Sequence, residues 1–251
     1  CLFLLANGVP AMAEIGLPGF LFGTTWRPVN DLYGIFPMIV GSLYVTAGAM
    51  IVGVPGGLLT ALYFSRFARG RTGSFLRSGV AGIPSVVYGF FGLVIIVPFV
   101  RLLGPGTGLS VLAASLILGI MILPTVITVA QSALDAVPAR YYEGALALGV
   151  DHEHAVFKAA AASGIMAAIV LGLGRAIGET MAVVMVAGNM PIIPDSLLSG
   201  VRTMTANIVL EMGYAADLHR EALIATGVVL FVFILLITML LNVIRKRGEA
   251  R

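Results

Sequence analysis

Long apolar runs separated by short polar segments make up the chain from end to end. A membrane-spanning helix needs about 20 mainly apolar residues. Five stretches meet that length, at 38–64, 78–100, 110–131, 160–188 and 222–244, and residues 1–8 read as the tail of a sixth span. Polar residues collect between them. Residues 9–37 carry Glu14, Trp26, Arg27 and Asp31 among Pro10, Pro18, Pro28 and Pro37. Residues 65–77 carry Arg66, Arg69, Arg71 and Arg77, and residues 101–109 form a Gly/Pro loop. Residues 132–159 and 189–221 hold most of the acidic side chains and all three histidines, and 245–251 form a basic tail. The pattern predicts an all-α, polytopic membrane helix bundle with five full spans and the remnant of a sixth.

Composition agrees with lipid as the solvent. The chain is 59% hydrophobic and 11% charged, with a mean hydropathy of +1.04. A soluble domain carries about 25% charged residues, and this chain has too few to cover a water-facing surface. Its 31 glycines suit close helix approach in a bilayer. A lone cysteine, Cys1, excludes an intramolecular disulfide. Its position invites a lipid-modified mature N-terminus, but the LFLLA that follows reads as the end of an apolar helix, and the missing initiator Met suggests a trimmed start.

The net charge of +3 matters less than its placement, and nothing in it points to nucleic acid. Five spans put linkers 65–77 and 132–159 on the same side as the tail. That side holds four, two and four Lys/Arg, ten in all, against Arg27, Arg101, Arg202 and Arg220 on the other. Ten against four places the C-terminus in the cytoplasm by the positive-inside rule. Pro55, Pro84, Pro98 and Pro124 fall inside spans. Each removes a backbone donor, giving either a simple kink or a broken helix lining a pathway.

Candidate chemistry lies in two segments. The first is LGLGRAIGETMAVVMVAGN, residues 171–189. Arg175 and Glu179 are four apart within an apolar run, so a continuous helix places them on one face. A lone charge at the bilayer centre costs at least about 2.5–3.5 kcal/mol. The pair is then either a buried ion pair that orders the bundle or a polar patch beside a translocation path. Gly172, Gly174 and Gly178 allow close approach around it. The GLGRAIG within it is a near miss of the dinucleotide fingerprint, with no preceding strand and the wrong spacing.

The second segment is VPARYYEGALALGVDHEHAVFK, residues 137–158, a short helix followed by a turn at Gly149. It is either a connecting loop or a compact surface that another protein grips through Glu143, Gly144 and Ala145. His152 and His154 are two apart and diverge on a helix, so they do not form a metal pair. No Ser-His-Asp or Cys-His arrangement and no phosphate-cradling GxxxxGK loop occur, which argues against an enzyme and against ATP binding by this chain. An intramembrane protease would need a Ser-His or paired-Asp site within the spans, where neither His nor Asp is found.

EGALALG (143–149) resembles the EAA motif of ABC importer permeases: a Glu, two small residues, three spacers and a Gly. GRAIGETMAVVMVAGN (174–189) closely resembles phosphate-transport permeases of the PstC type. IPSVVYGFFG (83–92), IMILPT (120–125) and FLFGTTWRP (20–28) are similar to the same family, so the resemblance covers nearly the whole chain. It implies an ABC importer type I permease (MetI-like) fold, with residues 1–8 ending a first helix, 9–37 periplasmic, 38–244 the permease domain and 245–251 a cytoplasmic tail.

The resemblance also implies a function. The chain would form the pore of an inorganic phosphate importer in the inner membrane with a PstA-type permease subunit. A PstB-type ATPase dimer would dock from the cytoplasm, and a periplasmic phosphate-binding protein would deliver the anion. No cofactor or metal would bind this chain, and ATP would be used by the partner. Glu143, Gly144, Ala145 and Gly149 would contact the ATPase. Arg175, Glu179, Thr180 and Asn189 would lie on the substrate path. The chain departs from the pattern after Gly149, where FKAAAASG (157–164) replaces a longer stretch ending in Leu-Pro. A permease of the same fold for molybdate or sulfate, or a non-transporting membrane subunit, are the alternatives.

Overall fold

In a medium without water every backbone polar group must be paired within the chain, so apolar runs of this length become helices. A computed structural model describes residues 2–66, 83–136, 143–144, 147–149 and 164–249. Helix α1 spans Leu2–Ile15 and α2 spans Leu17–Phe22. A two-stranded antiparallel ribbon follows, β1 (Trp26–Arg27) pairing with β2 (Leu32–Tyr33). Then come α3 (Phe36–Arg66), α4 (Ser85–Phe91), a π-helical turn at Gly92–Ile96, α5 (Val97–Arg101) and α6 (Val111–Asp135). The second half holds α7 (Gly164–Gly178), α8 (Met181–Val186), α9 (Met204–Glu211) and α10 (Asp217–Glu249).

Among the described residues three helices are long and apolar enough to cross a membrane: Phe36–Phe64, Val111–Asp135 and Asp217–Val243. They match the expected spans at 38–64, 110–131 and 222–244. The other expectations change. The helix read as ending at residue 8 runs on through Pro10 to Ile15. The described part of the 78–100 span is a shorter apolar helix, Ser85–Arg101, carrying a π-turn just before Pro98. The ring of Pro98 cannot continue a regular α-ladder, and the widened turn relieves the clash. The 160–188 span is not continuous, since its helix stops at Gly178 and restarts at Met181. Pro55 and Pro124, by contrast, sit inside helices that continue past them.

Helices α3 and α6 form the centre, and glycine sets their separation. A β-carbon on Gly53 would stand 2.5 Å from Ile122 Cγ1 and 2.7 Å from the Gly119 carbonyl; one on Gly57 would stand 2.6 Å from Val126 Cγ1. Ser115, buried on α6, donates its hydroxyl to the Val45 carbonyl of α3 at 3.3 Å. The core beside this pair joins Val45, Ala49, Ala114, Leu118 and Ile122 to Ala176 of α7 and Val183 and Val186 of α8. A second core packs α1, α2 and the ribbon on α9 and α10 through Ala11, Phe20, Trp26, Tyr33, Met204 and Leu223. Replacing Gly57 by Val should destabilise the detergent-purified protein by about 1–3 kcal/mol through overpacking. Gly56→Val, whose new atom meets Leu123 at 3.3 Å, should cost less. Equal thermal midpoints for the two variants would contradict glycine-set spacing.

Candidate functional site

The break after Gly178 shapes the first polar centre. Glu179 and Thr180 lie outside helix. The Thr180 hydroxyl donates to the Gly178 carbonyl at 3.3 Å, and Glu179 Oε1 accepts from the Ala182 amide at 3.4 Å. Such short side-chain bonds offer the backbone an alternative to the helical ladder. Thr205 of α9 donates to the Glu179 carbonyl at 3.3 Å and fixes the break against the next segment.

This geometry corrects the expectation that Arg175 and Glu179 share a helix face. Glu179 is past the helix end, and no ion pair joins the two among the described residues. Arg175 is exposed at the edge of an open cleft of about 240 Å³ between α6 and α7, lined by Pro124, Thr125, Thr128 and Val129. Its Nη1 donates to Thr125 Oγ1 at 3.5 Å. Among the described residues the centre is a cation without a carboxylate partner, flanked by hydroxyls.

Asn189, expected on the substrate path, lies in a turn after α8. Gly188 has φ +82° and Asn189 φ +52°, a left-handed turn that glycine adopts freely and asparagine tolerates. The turn sends the chain back so that Val201 donates to Ala187 and the 187–201 loop covers the start of α6. Asn189 Nδ2 donates to the Val184 carbonyl at 2.7 Å, and its own carbonyl accepts from Arg202 Nε at 2.9 Å.

Arg202 opens a second polar centre that the sequence pattern did not reveal. Arg202 Nη1 donates to Glu211 Oε1 at 2.6 Å and to Asn207 Oδ1 at 3.0 Å. The other Glu211 oxygen accepts from Trp26 Nε1 at 2.8 Å and lies 2.9 Å from His219 Nε2. The pair is hydrogen-bonded in the tautomer that carries its proton on His219 Nε2. Glu211 is 7% exposed and Trp26 5%. Tyr33, Trp26 and Tyr214 surround the His219 ring, with centroids 6.4, 6.2 and 6.0 Å away. Burial, then the charge and hydrogen bond of Asp31, hold the Tyr33 phenol above its usual range. One carboxylate therefore ties together the ribbon, the 187–203 loop, α9 and α10. The available signal was that the only tryptophan and three isolated polar residues lie in segments that flank apolar helices.

Of the second candidate segment, Glu143 and Gly144 are exposed. The Leu148 amide donates to the Gly144 carbonyl at 3.2 Å, and Gly149 adopts φ +80°, the turn geometry expected there. Ala145 and the Asp151–His154 cluster lie outside the described residues.

The chain is similar to known proteins over nearly its whole length. A solved structure of the MetNI methionine ABC transporter in an inward-facing conformation superposes with a TM-score of 0.58 at 19% identity, covering 98% of this chain and 96% of that one. That likeness shows the fold. YqgH of Bacillus subtilis, named as a probable ABC transporter permease protein, is 35% identical over 98% of this chain and 81% of its own length. The phosphate transport system permease protein PstC of Mesorhizobium japonicum is 32% identical over 99% and 84%. PstC of Xylella fastidiosa is 32% identical over 99% and 86%. These relatives bear out the resemblance read from residues 143–149 and 174–189. The model of the binding-protein-dependent transport system inner membrane component family matches residues 53–249, and the chain belongs to that family, as a multi-pass permease subunit of an ABC importer.

Proposed function

We propose that this chain forms part of the translocation path for inorganic phosphate, paired with a PstA-type permease and driven by a PstB-type ATPase dimer. A periplasmic phosphate-binding protein delivers the anion. The observation that carries this reading is Arg175, a cation with no carboxylate partner among the described residues, at an open cleft between α6 and α7, in a chain whose PstC relatives match almost end to end. An intramembrane guanidinium without a carboxylate lowers the barrier for an anion. Contact through one arginine and hydroxyls leaves binding weak enough for release. Glu179 caps the restart of α8, and its part in the path is to hold the break open beside Arg175.

Coupling follows the same reading. The C-terminal tail and the Glu143 segment face the cytoplasm, where basic residues concentrate. Exposed Glu143 and Gly144 enter a groove of the ATPase. ATP binding closes the ATPase dimer, draws the coupling segments together and opens the path outward; hydrolysis resets it. A different oxyanion is the second reading, left open by YqgH, which is named only as a probable ABC transporter permease protein.

The test is radiolabelled phosphate uptake in cells whose only importer contains this chain, with competition by sulfate and molybdate, and affinity purification of the complex. Phosphate uptake resisting both competitors, with an ATPase co-purifying, is the expected result. Uptake inhibited by either competitor at equal concentration would shift the substrate, and purification without an ATPase would point to a non-transporting subunit. Glu143→Lys should leave the chain in the membrane but reduce ATPase recovery and phosphate-coupled hydrolysis by at least about tenfold, as a reversed charge at an interface costs several kcal/mol. Unaltered recovery and hydrolysis would remove Glu143 from the coupling surface.

A further inference from the structure

The two threonines beside Arg175 are not equivalent, and their difference has a chemical consequence. Thr125 and Thr128 are three apart on α6 and line the same cleft as the guanidinium. The Thr125 oxygen accepts from Arg175 Nη1, so its proton is left to donate into the cleft. Thr128 is committed the opposite way. Its hydroxyl donates to the Pro124 carbonyl at 2.8 Å, so the oxygen of this exposed, cleft-lining residue keeps only acceptor capacity. A third polar edge is the guanidinium itself, which only donates. The cleft is therefore lined by donors, Arg175 and Thr125, and by an acceptor, Thr128.

We infer that Thr128, with Thr125 and Arg175, makes this cleft selective for a protonated tetrahedral oxyanion over a fully deprotonated one. The inference rests on the proposed anion path and adds the property that selects the anion. Near neutral pH phosphate carries at least one hydroxyl, which needs an acceptor, and bare oxygens, which need donors. Sulfate has only acceptor oxygens. Against sulfate the Thr128 oxygen stands acceptor to acceptor, and a site built to bond a substrate hydroxyl rejects an analogue lacking it. No proton is transferred in this step; the P–O–H donates to Thr128 Oγ1 while Thr125 and Arg175 donate to the other oxygens.

The experiment uses the intact transport complex in lipid nanodiscs and equilibrium dialysis with radiolabelled inorganic phosphate, with sulfate as competitor and without the binding protein. Wild type should bind phosphate and resist sulfate. Thr128→Val, isosteric and apolar, should weaken phosphate binding about five- to tenfold and lower sulfate's inhibition constant, because the opposed acceptor is gone, so the preference narrows. Thr128→Ser keeps the oxygen and should restore the preference. A Thr128→Val complex with wild-type preference, or a Thr128→Ser complex that loses it, would overturn the inference. Arg175→Gln separates the two layers. Lost binding in Arg175→Gln with an unmoved Thr128→Val leaves the path and removes the selectivity. Binding untouched by Arg175→Gln removes the path itself.

Discussion

Glu211→Ala should be the most destabilising single substitution in the described structure, lowering the thermal midpoint of the detergent-purified protein by roughly 10 °C. The carboxylate is 7% exposed and receives Arg202, Trp26 and His219 at 2.6, 2.8 and 2.9 Å. Removing it leaves the Arg202 guanidinium, 16% exposed, without its counter-charge. Deleting one partner of a buried ion pair costs about 3–5 kcal/mol, most of it from the charge left behind. The Arg202→Ala, Glu211→Ala double variant should therefore be less damaged than the two single losses added together. Trp26 is the sole tryptophan, so its emission reports on this cluster alone. Loss of the Glu211 acceptor and of tight packing should shift that emission to the red. An unshifted spectrum together with an unchanged midpoint would show that the cluster does not hold these four elements.

That cluster also marks where sequence pattern stops being informative. Apolar runs at 38–64, 110–131 and 222–244 specified their helices because each is long enough to span the bilayer, which outweighed the single proline in the first two. The 160–188 run is long enough as well, yet its helix breaks where no proline stands. The cause is local: Glu179 and Thr180 spend their side chains on Ala182 and Gly178, and Thr205, distant in sequence, fixes the break. Hydropathy averages over such bonds. At Pro55 and Pro124 the helices run on, so of the two alternatives left open there the broken helix does not occur. Among the site residues, Arg175 was legible as a charge in an apolar run, whereas its partner was not. Spacing of four implies a shared face only while the helix lasts, and it ends between the two residues. The Trp26 to Glu211 bond spans 185 residues, and no periodicity encodes it.

Arg175→Gln should lower phosphate uptake by about 10–100-fold while the complex still assembles, the loss expected when a charged donor to an anion becomes neutral. Assembly should survive because Arg175 is exposed at its cleft and contributes one long bond, to Thr125 at 3.5 Å. Arg175→Lys keeps the charge but loses the planar fork, and should fall between wild type and Gln. The broken helix yields a sharper expectation than the loss alone. Had the two charges formed a pair, removing Glu179 would alter the cost of removing Arg175. With Glu179 bonded to the Ala182 amide beyond the helix end, the double variant Arg175→Gln, Glu179→Gln should be additive within about 0.5 kcal/mol in uptake free energy. A coupling above about 1 kcal/mol would mean that the pair closes at some stage of the transport cycle. Additivity with lost uptake would leave Arg175 acting as a lone guanidinium held by a hydroxyl, its charge balanced by the passing anion rather than by the protein.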